Sequence, residues 1–116
     1  MLPHADDVPW HLDMPDAIDP LKPGILEWRI EGIGSYIVRA TSMSRSVAQY
    51  EESVWRLGQG LPHRVGGYRE IHRRLRQAAD EGRRVTVVGL ENCTAVDLAA
   101  RKRYWVAQRG TLNTAA

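Results

Sequence analysis

The stretch Gly24-Ile25-Leu26-Glu27-Trp28-Arg29-Ile30-Glu31-Gly32-Ile33-Gly34-Ser35-Tyr36-Ile37-Val38 decides the fold. Ile25, Leu26, Trp28 and Ile30 favour a strand, and Ser35-Tyr36-Ile37-Val38 resumes one. Between them Glu31-Gly32-Ile33-Gly34 supplies turn chemistry, because glycine takes a positive φ at no steric cost. The stretch reads as a β-hairpin.

Working outward toward the C-terminus, Ser42 or Ser44 can cap a helix over Arg45 to Leu57, in which Val47, Tyr50, Val54 and Leu57 recur at helical spacing. Gly58-Gln59-Gly60-Leu61-Pro62 ends it. Tyr68 to Glu81 reads as a second helix, with Tyr68, Ile71, His72, Leu75 and Ala79 on one face and Arg69, Arg73, Arg74 and Arg76 on the other. Gly82 is its stop signal. Arg83 to Leu90, built around Val85-Thr86-Val87-Val88, reads as a further strand. Thr94, with Asp97 three residues on, starts a third helix that runs to about Gln108, before Gly110. The order β-β-α-α-β-α predicts an α+β fold, a small three-stranded antiparallel sheet flanked by three helices.

Outward in the other direction, prolines at positions 3, 9, 15, 20 and 23 block a regular helix or a central strand. Residues 1–23 therefore read as an acidic, Pro-rich arm ahead of a domain over 24–116. Val8, Trp10, Leu12, Met14 and Ile18 are apolar enough to dock somewhere, so the arm reads as a disordered leader, as a cover over a core edge, or as a partner-binding or self-masking arm.

A chain of 116 residues suits one domain with its own core. Its one cysteine, Cys93, excludes an intramolecular disulfide or a Cys-only zinc site. Cys93 also has no adjacent base in sequence to make it a nucleophile. His4, His11, His63 and His72 show no metal-ligand spacing. No apolar run approaches the ~18 residues of a membrane span, and the N-terminus lacks the basic-then-apolar order of a secretory signal. A cytoplasmic protein without a membrane partner is the expectation.

The net charge of +2 divides unevenly. Residues 1–22 carry five acids and one base, which is −4; the remainder carries 15 bases and nine acids, which is +6. Fourteen of the 16 bases are Arg, the residue suited to planar contacts with phosphate. A basic body with an acidic arm makes nucleic acid, DNA or RNA, the first partner to expect.

The chain resembles the GIY-YIG nuclease superfamily over roughly Gly24 to Asn113. Gly24-Ile25-Leu26 stands where the family has Gly-Ile-Tyr, and Tyr36-Ile37-Val38 where it has Tyr-Ile-Gly. Arg45 lies close to the position of the family's catalytic arginine, with Arg39 as a second candidate. Trp55, Leu57, Gly60 and Tyr68-Arg69-Glu70-Ile71-His72 look like the segment leading into the family's second helix. Leu90-Glu91-Asn92, Tyr104-Trp105-Val106 and Gly110-Thr111-Leu112-Asn113 look like its closing strand, last helix and terminal asparagine. The departures are Leu26 for tyrosine, Val38 for glycine and, above all, Lys102, four residues before Val106, for the glutamate that holds the metal.

The resemblance implies a catalytic set of Tyr36, Arg45, His72 and Asn113, with the tyrosine handling the proton, the arginine the phosphate charge and the asparagine orienting substrate. His72 reads either as a proton carrier near Tyr36 or as a satisfied core histidine, and Asn113 either as substrate-orienting or as a tail anchor. Lysine has no acceptor and cannot hold Mg²⁺, which wants oxygen ligands, but it can neutralise phosphate. Glu91 is the one substitute ligand nominated. The expectation is a nucleic-acid binder of GIY-YIG-like fold that contacts the backbone through Arg39, Arg45, Arg69, Arg73 and Lys102 and has an inactive nuclease site needing no cofactor. One alternative is an active Mg²⁺-dependent DNA endonuclease using Glu91. Another is a protein-interaction or inhibitor module, such as a phage or mobile element would carry, that engages a protein partner through residues 1–22 or lays them on its own basic groove.

Overall fold

A computed structural model describes residues 10–113. In chain order the elements are β1 (His11–Asp13), β2 (Gly24–Ile30), β3 (Gly34–Ala40), α1 (Met43–Gly58), α2 (Glu70–Asp80), β4 (Val85–Asn92), a 3₁₀ turn (Ala95–Asp97) and α3 (Leu98–Arg109). The described residues form one mixed sheet in the order β1-β4-β2-β3, with β1 parallel to β4 and the other pairs antiparallel.

The hairpin forms as the sequence predicts, with Trp28 opposite Tyr36 and Leu26 opposite Val38. Alternation along β2 and β3 then sorts the core into two layers. Leu26, Trp28, Ile30, Val38 and Ala40 pack with Tyr50 and Val54 of α1 and Ile71 and Leu75 of α2. Ile25 and Ile37, on the opposite face, pack with Leu98 of α3 and with the half-buried Trp105 and Val106. The ladder between β2 and β4 carries an irregularity at Ile25/Leu26. There Gly24 approaches β4 so closely that a Cβ would lie 2.3 Å from the Glu91 carbonyl oxygen. Gly34, at φ +148°, opens β3 where a Cβ would meet the Thr111 hydroxyl at 2.4 Å.

The expected three-stranded antiparallel sheet is corrected to a four-stranded mixed one. The added strand is β1, three residues from the arm that pair with Thr86, Val87 and Val88. Its short length fits between the prolines at 9 and 15, and its place at the sheet edge tolerates them. The arm does dock. Trp10 sets its ring edge on Trp28, with centroids 4.7 Å apart, and Met14 and Ile18 pack on the same core layer. Leu12 stays exposed, and Val8 lies outside the described residues. Asn92 fastens the arm's end, accepting from the Asp19 backbone N–H at 2.7 Å and donating to the Asp19 and Pro23 carbonyls at 2.9 and 3.1 Å.

Two boundaries move for local reasons. Helix α2 begins at Glu70 rather than Tyr68, because the Arg69 backbone N–H is capped by His72 Nδ1 at 3.0 Å. Strand β4 runs two residues later than expected, since Glu91 and Asn92 still pair with Ile25 and Gly24. Among the described residues no helix is long and apolar enough to cross a membrane.

Because Trp10 seals the end of the Trp28 layer, Trp10→Ala should lower unfolding free energy by about 2 kcal/mol, less than a fully buried ring. Urea denaturation measures it. A loss below about 0.5 kcal/mol, typical of a neutral surface change, would show that the arm adds nothing to the core.

Candidate functional site

Two clefts meet at Arg45, in the first turn of α1. One, of about 520 Å³, is lined by Arg39 of β3, the Thr41-Ser42 corner, Arg45 and Leu98 of α3, among others. The second, of about 620 Å³, lies between α1 and the segment 63–69.

The strand pleat brings Arg39 here. Ile37 is buried against α3, so Arg39, two residues on, shares that face and emerges where α3 begins. Lys102 follows the buried Leu98 by four residues, so it stands on the same helical face and is half-buried. Burial, then the charges of Arg39 and Arg69, lower the Lys102 pKa from its ordinary value. Arg69 arrives from the start of α2, donating from Nη2 to the Tyr50 hydroxyl with its guanidinium over that ring. Burial raises the Tyr50 pKa and Arg69 opposes the rise.

Among the described residues no carboxylate forms an ion pair with Arg39, Arg45, Arg69 or Lys102. Six other arginines are compensated, Arg29 and Arg109 by Glu27, Arg64 by Glu52, Arg76 by Asp80, Arg83 by Glu81 and Arg101 by Glu91, while Arg56, Arg73, Arg74, Arg84 and Arg103 also make no ion pair among the described residues but line neither cleft. The site is thus a local concentration of unneutralised cations, with hydroxyls at Thr41 and Ser42.

The remaining candidates fall elsewhere or are occupied. Tyr36 is half-buried on the sheet face that carries α1 and α2, within electrostatic reach of Tyr50; its side chain is on the face opposite Arg39. Arg73 donates to the Tyr68 carbonyl at 3.0 Å and is exposed on α2. Asn113 acts as a one-residue strand, with Oδ1 accepting from the Ile37 N–H at 2.7 Å and Nδ2 donating to the Ile37 carbonyl at 2.9 Å. Glu91 accepts from Arg101 Nε at 2.6 Å and Trp105 Nε1 at 2.7 Å, both on Oε1. With Lys102 bringing no acceptor, these residues do not fit Mg²⁺, and among the described residues no group of three or more His, Cys, Asp or Glu could hold a metal ion.

His72 is buried among the rings of Tyr50, His63 and Tyr68, at centroid distances of 5.3 to 5.9 Å. Burial, then the charges of Arg69, His63 and Arg73, push its pKa down to about 4. It is a neutral, capping histidine at neutral pH.

Sequence reasoning passed over Thr41, Ser42 as a site residue, and Tyr50 as the partner of Arg69. The run Arg39-Ala40-Thr41-Ser42-Met43-Ser44-Arg45, dense in hydroxyls and guanidiniums, carried that signal. Of the acidic arm, Asp13, Asp16 and Asp19 make no ion pair with these cations, and Asp19 instead meets Lys22 at 3.9 Å. Asp6 and Asp7 lie outside the described residues.

Compared with protein-family models, curated proteins and solved structures, the chain matches none.

The His72 shift has a sign. Its folded pKa of about 4 lies below the free value of 6.5, so the unfolded chain binds the extra proton between them. The stability His72 contributes is complete above pH 6.5 and is lost as pH falls toward 4, at up to about 1.4 kcal/mol per pH unit. Urea denaturation from pH 7 to pH 5 should show this loss, and His72→Gln should flatten it. An unchanged profile in the variant would assign the loss to other groups.

Proposed function

We propose that this chain is a nucleic-acid-binding protein with a GIY-YIG-like fold and a nuclease site that does not cut. The observation that carries the reading is the cluster of Arg39, Arg45, Arg69 and Lys102, none of which forms an ion pair with a carboxylate among the described residues. Like charges held together cost free energy, and the charges of Arg39 and Arg69 add to the larger effect of burial in lowering the Lys102 pKa. A bound phosphate reverses that cost. Arginine forks and a lysine point charge suit phosphate oxygens, and the Thr41 and Ser42 hydroxyls add donors.

The family part of the reading is supported by the antiparallel trio β4-β2-β3, by the succession of helices around it, and by the place of Lys102 on α3 beside Arg39. Hydrolysis in such a site needs a metal ligand, and Glu91 spends its Oε1 on Arg101 and Trp105. Arg39, Arg45, Arg69 and Lys102 bind and orient the backbone, and among the described residues no carboxylate pairs with them to hold a metal ion. The cleft lies in a protein whose remaining acids are largely engaged with other arginines, so DNA or RNA meets attraction at this place.

Fluorescence anisotropy with a labelled DNA duplex over a salt series tests this. Four cations on four phosphates give a slope of log K against log salt near −3.6, at about 0.9 per phosphate. Lys102→Ala should reduce the slope by about one and weaken binding several-fold. The wild type should leave supercoiled DNA un-nicked with Mg²⁺ or Mn²⁺. Binding indifferent to salt, or nicking by the wild type, overturns the proposal.

A further inference from the structure

The second cleft differs in character from the cationic one. Its walls are the Tyr50 and His72 rings, the His63 ring, and the aliphatic surfaces of Ala48 and Val65, while Arg45 and Arg69 stand among its lining residues. Its volume of about 620 Å³ is in the range of small-molecule sites, roughly 300–1,000 Å³. The loop that closes it is held in place. Arg64 pairs with Glu52 at 2.8 Å, Arg56 donates to the Pro62 carbonyl at 2.9 Å, and His63 Nδ1 accepts from the Val65 and Gly66 backbone N–H groups at 3.2 and 3.1 Å. Such a groove exists before any ligand arrives, so little ordering cost opposes binding.

Three observations point to one occupant. Arg45 lines both clefts, so a phosphate on Arg45 places whatever is bonded next to it at the mouth of the groove. Most of the surface the groove offers is ring and carbon, and of the charged residues that border it Arg64 is neutralised by Glu52, so the interior suits a flat, weakly polar group rather than a second phosphate. His72 is neutral, and because Nδ1 accepts the Arg69 N–H, its proton sits on Nε2, a donor suited to an acceptor on a base edge. A base paired within a duplex cannot enter a pocket of this kind; an unstacked one can.

We infer that the groove between α1 and the segment 63–69 is a subsite for one unpaired nucleobase of a nucleic acid whose backbone lies on Arg39, Arg45, Arg69 and Lys102. The protein then prefers strands with a bulged or single-stranded nucleotide to fully paired duplex. The inference rests on the proposed phosphate-binding role and adds the class of nucleic acid that fills the site.

The test uses the full chain and three labelled DNA duplexes of equal length: fully paired, with a single-nucleotide bulge, and with the same bulge bearing an abasic residue. The bulged duplex should bind at least about tenfold more tightly than the paired one, the size of one base-stacking contribution. The abasic bulge should lose that gain, which separates base capture from duplex bending. Ala48→Leu fills the groove from an exposed helix position without adding charge, and should shrink the bulge preference toward unity. If all three duplexes bind alike with the expected salt slope, the base subsite is wrong and the phosphate site stands. If the abasic bulge binds as tightly as the bulge with its base, the subsite is likewise wrong. If none of the three binds, the phosphate site and the subsite both fall.

Discussion

Strand β2 is buried along both of its faces, and that burial governs what surrounds it. Leu26, Trp28 and Ile30 demand cover on one side, Ile25 on the other, so the helices must divide between the two faces. The inner position Glu27 makes the demand sharper, because it buries a carboxylate at 1% exposure. An isolated charge there would be untenable. It accepts from Ser35 Oγ at 2.6 Å and Arg29 Nη2 at 3.1 Å, and Arg109 Nε approaches to 3.3 Å from the last turn of α3. One acid in the central strand therefore fixes where the far end of α3 must lie.

The placement of the cationic cleft follows from that. Helix α3 is pinned at its end by Glu27 and Arg109 and in its middle by Glu91 with Arg101 and Trp105. With its azimuth so held and Leu98 against the sheet, Lys102 has no freedom to turn away from Arg39. Two structural acids thus orient a helix whose exposed content is basic. The same bonds that compensate Arg101 and Arg109 leave Lys102 as the uncompensated member of its helical face.

Much of this was readable from residue order. The hairpin was legible because glycine turns and β-favouring runs are local signals, and α1 and α2 because their apolar spacing is too; α3 was read from Thr94 and Asp97, yet the helix proper begins at Leu98 after a 3₁₀ turn. The edge strand β1 was not, since three residues between prolines show no periodicity; only the register with Thr86, Val87 and Val88 reveals it. Arg39, Arg45, Arg69, Arg73 and Lys102 were nominated as phosphate contacts; Arg39 and Arg45 line one cleft, Arg39 and Arg69 lie within electrostatic reach of Lys102, and Arg73 stands apart on α2. The distinction between these and the compensated arginines was partly hidden, because partners such as Arg109 and Glu27 are distant in sequence. Arg76 with Asp80, at four residues on one helix, and Arg29 with Glu27 and Arg83 with Glu81, at two residues, are the local pairs. The two jobs open to Asn113 could not be separated without knowing that Ile37, 76 residues earlier, would present both backbone groups to it.

The outer side of β3 is closed by the tail: Leu112 donates to the Ser35 carbonyl at 2.8 Å, Thr111 Oγ1 accepts from the Ser35 N–H at 2.8 Å, and Asn113 takes both groups of Ile37. Without residues 111–113, the backbone groups of Ser35 and Ile37 would present an open strand edge, the surface from which intermolecular strand pairing begins. The tail thus works as edge protection, giving β3 the partners that an added strand would otherwise supply.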